Sequence, residues 1–168
     1  MTNTPSAMQN QSSPDGDGDL AGSAILLVDD NEQNLELLHA YLEALPCEVR
    51  TARDGVEAME AVAAARPDII LLDVMMPRMS GFQVCDRLKS DVATRDIPII
   101  MVTALNEVND IVRAIDLGVD DFLTKPVNRL ELLTRVRSLM RLSHMQKRLN
   151  KTLAELRRLG PGGPGTRG

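Results

Sequence analysis

The sequence predicts an α/β domain in which a parallel sheet is covered by helices on both faces. Short apolar runs alternate with amphipathic segments, and the turns between them have only a few residues. The second run is polar at half of its positions, which suits an edge strand. The five apolar runs are Ala24–Val28, Val49–Ala52, Ile69–Leu72, Ile99–Val102 and Phe122–Leu123. The amphipathic segments are Glu32–Leu45, Val56–Ala65, Phe82–Ser90, Glu107–Leu117 and the stretch from Leu130 onward.

Local signals mark the boundaries of several predicted helices. Asp54 stands three residues before Glu57, and Asn128 stands three residues before Glu131. This spacing is typical of a capping box at a helix N-terminus. Gly118 follows the fourth predicted helix, where a glycine commonly ends a helix.

Composition limits the protein to one ordinary domain with flanking segments, because the chain has 168 residues. The aromatic content of 2% makes base-stacking platforms for single-stranded nucleic acid improbable. Cys47 and Cys85 are isolated from each other and are expected to be reduced core residues of a cytoplasmic protein. No apolar run approaches the ~18 residues of a membrane span, and we expect no membrane partner.

The charge is unevenly distributed along the chain. Residues 1–128 hold 9 Lys and Arg against 22 Asp and Glu, whereas residues 129–168 hold 10 against 2. An acidic body is therefore followed by a basic C-terminal part. We interpret most of the basic residues as a solvated helix face or a counterpart to the acidic body. Contact with DNA is the weaker alternative, and we expect no nucleic-acid partner.

The last predicted helix continues beyond the end of the domain. Apolar residues recur with three- and four-residue spacing at Leu142, Met145, Leu149, Leu153, Leu156 and Leu159, and Gly160 then begins a Gly/Pro-rich end. We predict a disordered leader over residues 1–22, the domain over 23–142, a helical extension over 143–159 and a flexible tail over 160–168. The extension is short for a self-sufficient coiled coil.

Three aspartates follow two of the apolar runs. Asp29 and Asp30 end the first run, and Asp73 ends the third. Because the carboxyl ends of central parallel strands meet at one edge of a sheet, we expect these carboxylates to converge there. Like charges at close range repel, and Mg²⁺ with its preference for oxygen ligands would relieve this repulsion. The competing interpretation of Asp30 is a cap for the helix that begins near Asn31.

A hydroxyl and an ammonium group are expected at the same edge. Thr103 and Ala104 end the fourth run, and Lys125 with Pro126 ends the fifth. With a metal, these groups would hold the oxygens of a tetrahedral anion, and an aspartate among them could act as a nucleophile that forms an aspartyl phosphate. The alternatives are a β-branched strand residue for Thr103 and a surface lysine for Lys125.

The sequence resembles the receiver domain of a two-component response regulator. The matching stretches are ILLVDDN (25–31), PDIILLDVMMPRMSGFQVC (67–85), IPIIMVTAL (97–105) and LGVDDFLTKPV (117–127). The resemblance covers about residues 23–142. The DVMMP and SGFQVC parts of the second stretch are similar to receivers that precede diguanylate cyclase-type output domains. It implies a flavodoxin-like, doubly wound sheet of five strands in the order 2-1-3-4-5.

The resemblance also implies a metal site and a phosphoacceptor. Asp73 would accept a phosphoryl group from a phosphohistidine on a sensor histidine kinase or phosphotransfer protein. The side chains of Asp30 and Asp73 and the backbone carbonyl of Met75 would bind Mg²⁺, and Asp29 would act through a water molecule.

The remaining implied roles concern phosphoryl binding and switching. Thr103 and Lys125 would bind phosphoryl oxygens, together with the backbone at Met75 and Ala104. Phe122 would be the aromatic switch that turns inward when Thr103 moves toward the phosphate. An ordinary core phenylalanine on the last strand is the competing interpretation of Phe122.

The expected output is a change in binding rather than catalysis on a separate substrate. The sequence contains no GxxxxGK[ST] loop and no recognisable effector domain. The chain is expected to be either a stand-alone receiver or the receiver part of a longer regulator. In both cases, the face formed by the fourth helix, fifth strand and fifth helix would be the output surface, and the extended helix would serve dimerisation or relay.

Two other functions stay open on the sequence alone. One is a small Mg²⁺-dependent aspartyl-phosphate phosphatase of the haloacid-dehalogenase type, in which the nucleophile ends the first strand in a DxD pattern; this first strand ends Asp29-Asp30. The other is a structural adaptor with a vestigial site.

Overall fold

The structure is a computed structural model, and it describes residues 17–104 and 108–160. A short 3₁₀ helix, Gly18–Leu20, precedes the first strand. The strands are β1 (Ala24–Val28), β2 (Glu48–Ala52), β3 (Ile69–Asp73), β4 (Ile99–Thr103) and β5 (Asp121–Thr124). The helices are α1 (Glu32–Leu42), α2 (Gly55–Ala64), α3 (Gly81–Ser90), α4 (Val108–Asp116) and α5 (Arg129–Leu159). Residues 105–107, which include the predicted start of α4, lie outside the described residues.

All five strands form one parallel sheet in the order β2-β1-β3-β4-β5. β1 pairs with β2 on one side and with β3 on the other, so the direction of winding reverses between β1 and β3. In sheets of this kind ligands bind beyond the carboxyl ends of the strands at the reversal point. The predicted fold class and strand order are confirmed, and β2 lies at an edge as its polar composition indicated.

Two apolar layers, one on each face of the sheet, form the core. Alternate residues of β1 divide between them: Leu26 and Val28 pack with α2, α3 and α4, whereas Ile25 and Leu27 pack with α1 and α5. Every residue of β3 and β4 is buried. Continuous apolar strands are the expected consequence of a parallel sheet with both faces covered.

Side-chain caps begin two helices at the predicted places. The Asp54 carboxylate accepts a hydrogen bond from the Glu57 backbone N–H at 2.8 Å, and the Asn128 amide oxygen accepts one from the Glu131 N–H at 3.0 Å. The return bond of a capping box is absent at Asp54, because the Glu57 carboxylate accepts from the Arg53 N–H instead. Each cap satisfies one of the backbone donors that a helix N-terminus leaves without an intrahelical acceptor.

Several helix ends differ from the prediction by one to three residues, and two of the differences have a local cause. α3 begins at Gly81 rather than Phe82, and the residues that hold its start are Ser80 and Gln83, which form a complete capping box. α1 ends at Leu42 rather than Leu45. Pro46 disfavours helical backbone at the residue before it, so the helix ends ahead of that position.

Residues 17–22 differ from the predicted disordered leader. Leu20 is fully buried in the core layer that α1 and α5 share. The Asp17 carboxylate accepts two hydrogen bonds from the Arg137 guanidinium, both at 3.0 Å. Leu20 and Asp17 therefore attach this segment to α5. Because both lie in a polar stretch, the sequence does not indicate this attachment. Residues 1–16 lie outside the described part of the chain.

α5 is one helix of 31 residues, as the predicted extension requires. Its buried residues, Leu132, Leu133, Val136 and Met140, all precede residue 143. The predicted tail beyond Gly160 lies outside the described residues. Among residues 17–104 and 108–160, no helix combines the length and apolar character needed to cross a membrane.

We predict that Leu20→Ala lowers the free energy of unfolding by about 2–4 kcal/mol, because it leaves a cavity in a closed core. Leu130→Ala is the matched control, since Leu130 is 73% exposed and should change stability by no more than about 0.5 kcal/mol. Urea denaturation of both variants measures the difference. If residues 17–22 were disordered, the two substitutions would have equally small effects.

Candidate functional site

Three aspartates converge at the carboxyl edge of the sheet. Asp73 is the last residue of β3, and Asp29 and Asp30 directly follow the neighbouring strand β1. One ligand oxygen from each lies within 4.8 Å of the others. Asp29 and Asp73 are only 1% and 4% exposed, whereas Asp30 is exposed. The convergence predicted from the strand ends is therefore present at the reversal point of the sheet.

Asp29 is held in place by two hydrogen bonds. Its Oδ1 accepts from the Asn31 backbone N–H at 2.9 Å, and its Oδ2 accepts from the Lys125 ammonium at 2.9 Å. The helix cap belongs to Asn31, whose side-chain oxygen accepts from the Asn34 N–H at 3.1 Å. The alternative interpretation of Asp30 as the cap of α1 is therefore wrong.

Lys125 reaches the acidic cluster from the end of β5. Its backbone N–H donates to the Thr103 carbonyl at 2.9 Å, and its peptide bond to Pro126 is cis. Its Nζ lies 2.9 Å from Asp29 Oδ2 and 3.4 Å from Asp73 Oδ1. Burial tends to lower the pKa of Lys125, but these two carboxylates outweigh burial and raise it. The surface-lysine alternative is wrong.

Asp73 carries an unfavourable negative charge in this surrounding. Burial and, after it, the Asp29 carboxylate raise the pKa of Asp73 to about 6, although Lys125 acts in the opposite direction. One ammonium group thus does not compensate three carboxylates. A hard divalent cation with oxygen ligands would complete the compensation, and the donor set of Asp29, Asp30 and Asp73 fits Mg²⁺.

The predicted phosphoryl-binding residues lie around this cluster. Thr103 is buried at the end of β4, and exposed Ala104 follows it. Met75 is in the loop after β3, with a side chain 67% exposed. Phe122 is half-buried and lines, with Thr103, a cavity of about 10 Å³ below the sheet edge. That volume holds about one water molecule and is too small for an aromatic ring.

Gly81 supports the site and was missed by the sequence analysis. A Cβ at this position would lie 2.2 Å from the Asp73 carbonyl oxygen and 2.9 Å from Val74 Cα. The Gly81 N–H donates to the Val74 carbonyl at 2.9 Å. Only glycine allows the β3–α3 loop to close this tightly on the backbone of Asp73. The signal in the sequence was a Ser-Gly pair at the start of a helix.

Asp54 and Arg78 form a second support. Asp54 is buried, caps α2 and contacts the Arg78 guanidinium of the β3–α3 loop. Arg78 has a φ of 65°, an unusual conformation for a residue with a side chain. The loop that follows Asp73 is thereby attached to the start of α2. The sequence pattern indicates the cap at Asp54, but nothing in it indicates the pairing with Arg78.

The fold and the site together define a class of protein. A doubly wound sheet of this order, with an acidic cluster and a lysine at its carboxyl edge, is typical of flavodoxin-like signalling domains. The family model of the response regulator receiver domain matches residues 25–137. The chain belongs to this family, and it is a two-component response regulator receiver.

Curated relatives agree with this assignment. The chain is 48% identical over 136 residues to the response regulator PleD of Caulobacter vibrioides, a match that covers 81% of this chain and 30% of PleD. It is 42% identical over 117 residues to RpaA of Synechocystis, described as a DNA-binding dual master transcriptional regulator, with coverage of 70% and 48%. The chain spans only a third to a half of the length of these relatives. They give no support to the phosphatase alternative.

Solved receiver structures have the same fold. The chemotaxis protein CheY4 of Vibrio cholerae is 30% identical, with a TM-score of 0.67, and the match covers 71% of this chain and 99% of that one. The phosphorylated cyanobacterial phytochrome response regulator RcpA is 34% identical, with a TM-score of 0.63 and coverage of 71% and 91%. Receiver domains typically bind Mg²⁺ at an acidic site, and the aspartate cluster described above provides such a site here.

We predict that Asp73→Asn stabilises the metal-free protein at pH 7.5 by about 1–3 kcal/mol. The folded-state pKa of about 6 exceeds the ordinary value of 3.8, so wild-type stability falls as pH rises through this interval. The advantage of the variant should vanish below about pH 4 and shrink when Mg²⁺ binds the wild type. Thermal denaturation between pH 4 and 8 tests this, with the exposed Asp86→Asn as control. A pH-independent difference would contradict the charge argument.

We predict that Gly81→Ala disturbs the site, because its Cβ would overlap the Asp73 carbonyl. Stability should fall by about 2 kcal/mol or more, and Mg²⁺ affinity should fall with it. Gly18→Ala is the matched control, since no atom lies within 4 Å of its Cβ position. Urea denaturation and Mg²⁺ titration compare the two. Equal behaviour of both variants would show that the close approach has no consequence.

Proposed function

We propose that Asp73 is the residue that accepts a phosphoryl group from a sensor histidine kinase or a phosphotransfer protein. The observation that carries this proposal is the position of Asp73. It is a buried carboxylate with a raised pKa, close to two further aspartates and 3.4 Å from the Lys125 ammonium. Such an arrangement supports attack on an anionic phosphoryl donor, because positive charge is available where the phosphoryl oxygens would lie.

In the proposed reaction, an Asp73 carboxylate oxygen attacks the phosphorus of the phosphohistidine. The bond between phosphorus and the imidazole nitrogen breaks, and its electron pair leaves with the imidazole. An acyl phosphate on Asp73 is the product. The Lys125 ammonium, already oriented by Asp29, would bind one phosphoryl oxygen. The Thr103 hydroxyl and the backbone at Met75 and Ala104 would bind the others.

Asp29, Asp30, Asp73 and the backbone carbonyl of Met75 are the groups that would hold Mg²⁺. When bound, the cation would supply neutralisation of the charge on the phosphoryl oxygens. Asp29 has a second task that needs no metal, because its hydrogen bond fixes the Lys125 ammonium. The three carboxylates therefore differ in role: one reacts, one orients the lysine, and exposed Asp30 completes the ligand set.

The proposed switch uses Thr103 and Phe122. Both line the same cavity of about 10 Å³, together with residues of α4. A ring that turned inward would not fit this volume unless neighbouring side chains moved. Movement of Thr103 toward a phosphoryl group would therefore be coupled to Phe122 and to the position of α4. Through this coupling, phosphorylation would change the face formed by α4, β5 and α5.

The surface beside Lys125 supports docking of the phosphoryl donor. A groove of about 370 Å³ is lined by Leu37 and Leu38 of α1 and by Pro126 and Val127 after β5. Lys125 also lines the groove, so a protein bound there would present its phosphohistidine close to Asp73. Downstream, the α4–β5–α5 face and the extended α5 would bind an effector or a second receiver. We propose a cytoplasmic, non-enzymatic signalling role.

The expected result with acetyl phosphate and Mg²⁺ is one phosphoryl group per chain, measured by intact mass. Asp73→Asn should abolish labelling, and Lys125→Ala should slow it roughly 10- to 100-fold. Asp86→Asn is the control, because Asp86 is an exposed aspartate of α3 that lies outside the acidic cluster. Labelling that survives in Asp73→Asn would disprove the assigned residue. Steady hydrolysis of a free phosphomonoester would favour a phosphatase. The absence of labelling and of any Mg²⁺ effect would favour a vestigial site.

A further inference from the structure

The C-terminal half of α5 carries an apolar stripe that the receiver core does not cover. Its members are between 43% and 82% exposed: Leu142, Met145, Leu149, Leu153, Leu156 and Leu159. Leu142, Leu149 and Leu156 repeat every seven residues. Met145 and Leu159 form a second row with the same period, with Thr152 between them. These two rows correspond to the a and d positions of a coiled coil.

The stripe faces away from the body of the domain. With about 100° of rotation per residue, the stripe is centred roughly opposite the buried residues of the same helix. Those buried residues are Leu132, Leu133, Val136 and Met140. A second helix can therefore lie along the stripe without displacing any part of the core.

The first turns of the extension are already ordered by contacts with the body. His144 Nδ1 lies 3.0 Å from the Asp19 carbonyl oxygen, and the Lys147 ammonium lies 3.3 Å from Asp68. Arg148 lies 3.6 Å from the Asp19 carboxylate. A helix that is held in this way loses little conformational freedom when it associates, so a short stripe suffices for reversible association.

We propose that a second copy of this chain covers the stripe, with the two α5 extensions packed antiparallel. In this register Leu142 packs against Leu159 of the second copy, Met145 against its Leu156, and Leu149 against its Thr152. The same three layers recur by two-fold symmetry on the other side of the centre, near residues 150 and 151. Each a position then meets a d position, as in antiparallel coiled coils.

Charge complementarity selects this orientation. Arg148 and Glu155 occupy the positions that flank the apolar rows on one side. In the antiparallel register, Arg148 of each copy lies next to Glu155 of the other, so two ion pairs form. In a parallel pair, Arg148 would face the uncharged Leu153, and Glu155 would face Gly160. The antiparallel pair therefore has electrostatic attraction that the parallel pair lacks.

The charge distribution of the whole chain favours the same orientation. A parallel pair would place the basic ends of both helices, with Arg157 and Arg158, side by side. The antiparallel pair separates these ends and directs each toward the acidic body of the other copy, where residues 1–128 hold 22 acidic against 9 basic side chains. Repulsion is thereby replaced by attraction at both ends of the helix pair.

A charge-swap cycle tests the proposal on the full chain by sedimentation equilibrium. Arg148→Glu and Glu155→Arg should each weaken self-association about 3- to 10-fold, and the double variant should restore it to within about threefold of wild type. Arg148→Glu also disturbs the contact with Asp19. This effect is the same whether residue 155 is Glu or Arg, so it cancels when the coupling between positions 148 and 155 is calculated. Absence of coupling between the two positions would overturn the antiparallel register.

Two further measurements complete the test. Leu149→Asp should abolish self-association, whereas Ala154→Asp, on the side of the helix away from the stripe, should retain it.

With cysteines introduced singly, a mixture of Leu142→Cys and Leu159→Cys chains should crosslink between copies. Efficient crosslinking of Leu159→Cys with itself would instead indicate a parallel pair. A wild-type chain that stays monomeric at all concentrations would also overturn the proposal.

The inference rests on the proposed use of the α5 extension for association, but its test needs no phosphoryl donor. Failure of Asp73 labelling would leave the charge-swap result intact. Conversely, failure of the charge swap would leave Asp73 as the proposed phosphoacceptor and remove only the dimer.

Discussion

Repulsion among three carboxylates at one edge of the sheet is the constraint on which the rest of the site depends. The fold places Asp29 and Asp73 at the ends of adjacent strands, where water is largely excluded and their charges are poorly screened. The Lys125 ammonium neutralises part of this charge, and a divalent cation held by the carboxylates would neutralise more of it. The crowding of buried carboxylates thus favours a cation at this edge of the sheet.

The scaffold that holds these charges is made of ordinary packing and backbone contacts. The apolar strands pack against helices on both faces of the sheet, and this packing fixes the positions of the strand ends relative to one another. Gly81 lets the following loop close on Asp73, and the pairing of Arg78 with Asp54 attaches that loop to α2. Asp73, the proposed phosphoacceptor, therefore sits at the end of a buried strand, while Thr103 and Phe122, the proposed switch residues, lie beside a small cavity.

Sequence reasoning predicted the sheet, the strand-end carboxylates and the lysine, because alternation of apolar and amphipathic segments is a strong local signal and strand ends converge in any parallel sheet. It did not predict the contacts that depend on three-dimensional proximity alone. Leu20 looks like a stray apolar residue in a polar leader until α5 is placed beside it. Arg78 and Asp54 are 24 positions apart in sequence, and nothing in either segment indicates the pairing.

The attachment of Leu20 and Asp17 to α5 sets the true limits of the folding unit. The stretch shared with the family, residues 25–137, stops short of both Leu20 and Met140, which occupy the same apolar layer. A version of the chain trimmed to that stretch would keep the aspartate cluster and Lys125 yet lose Leu20 and Met140, two fully buried side chains of this layer. Such a trimmed chain would be less stable for a reason unrelated to its acidic cluster.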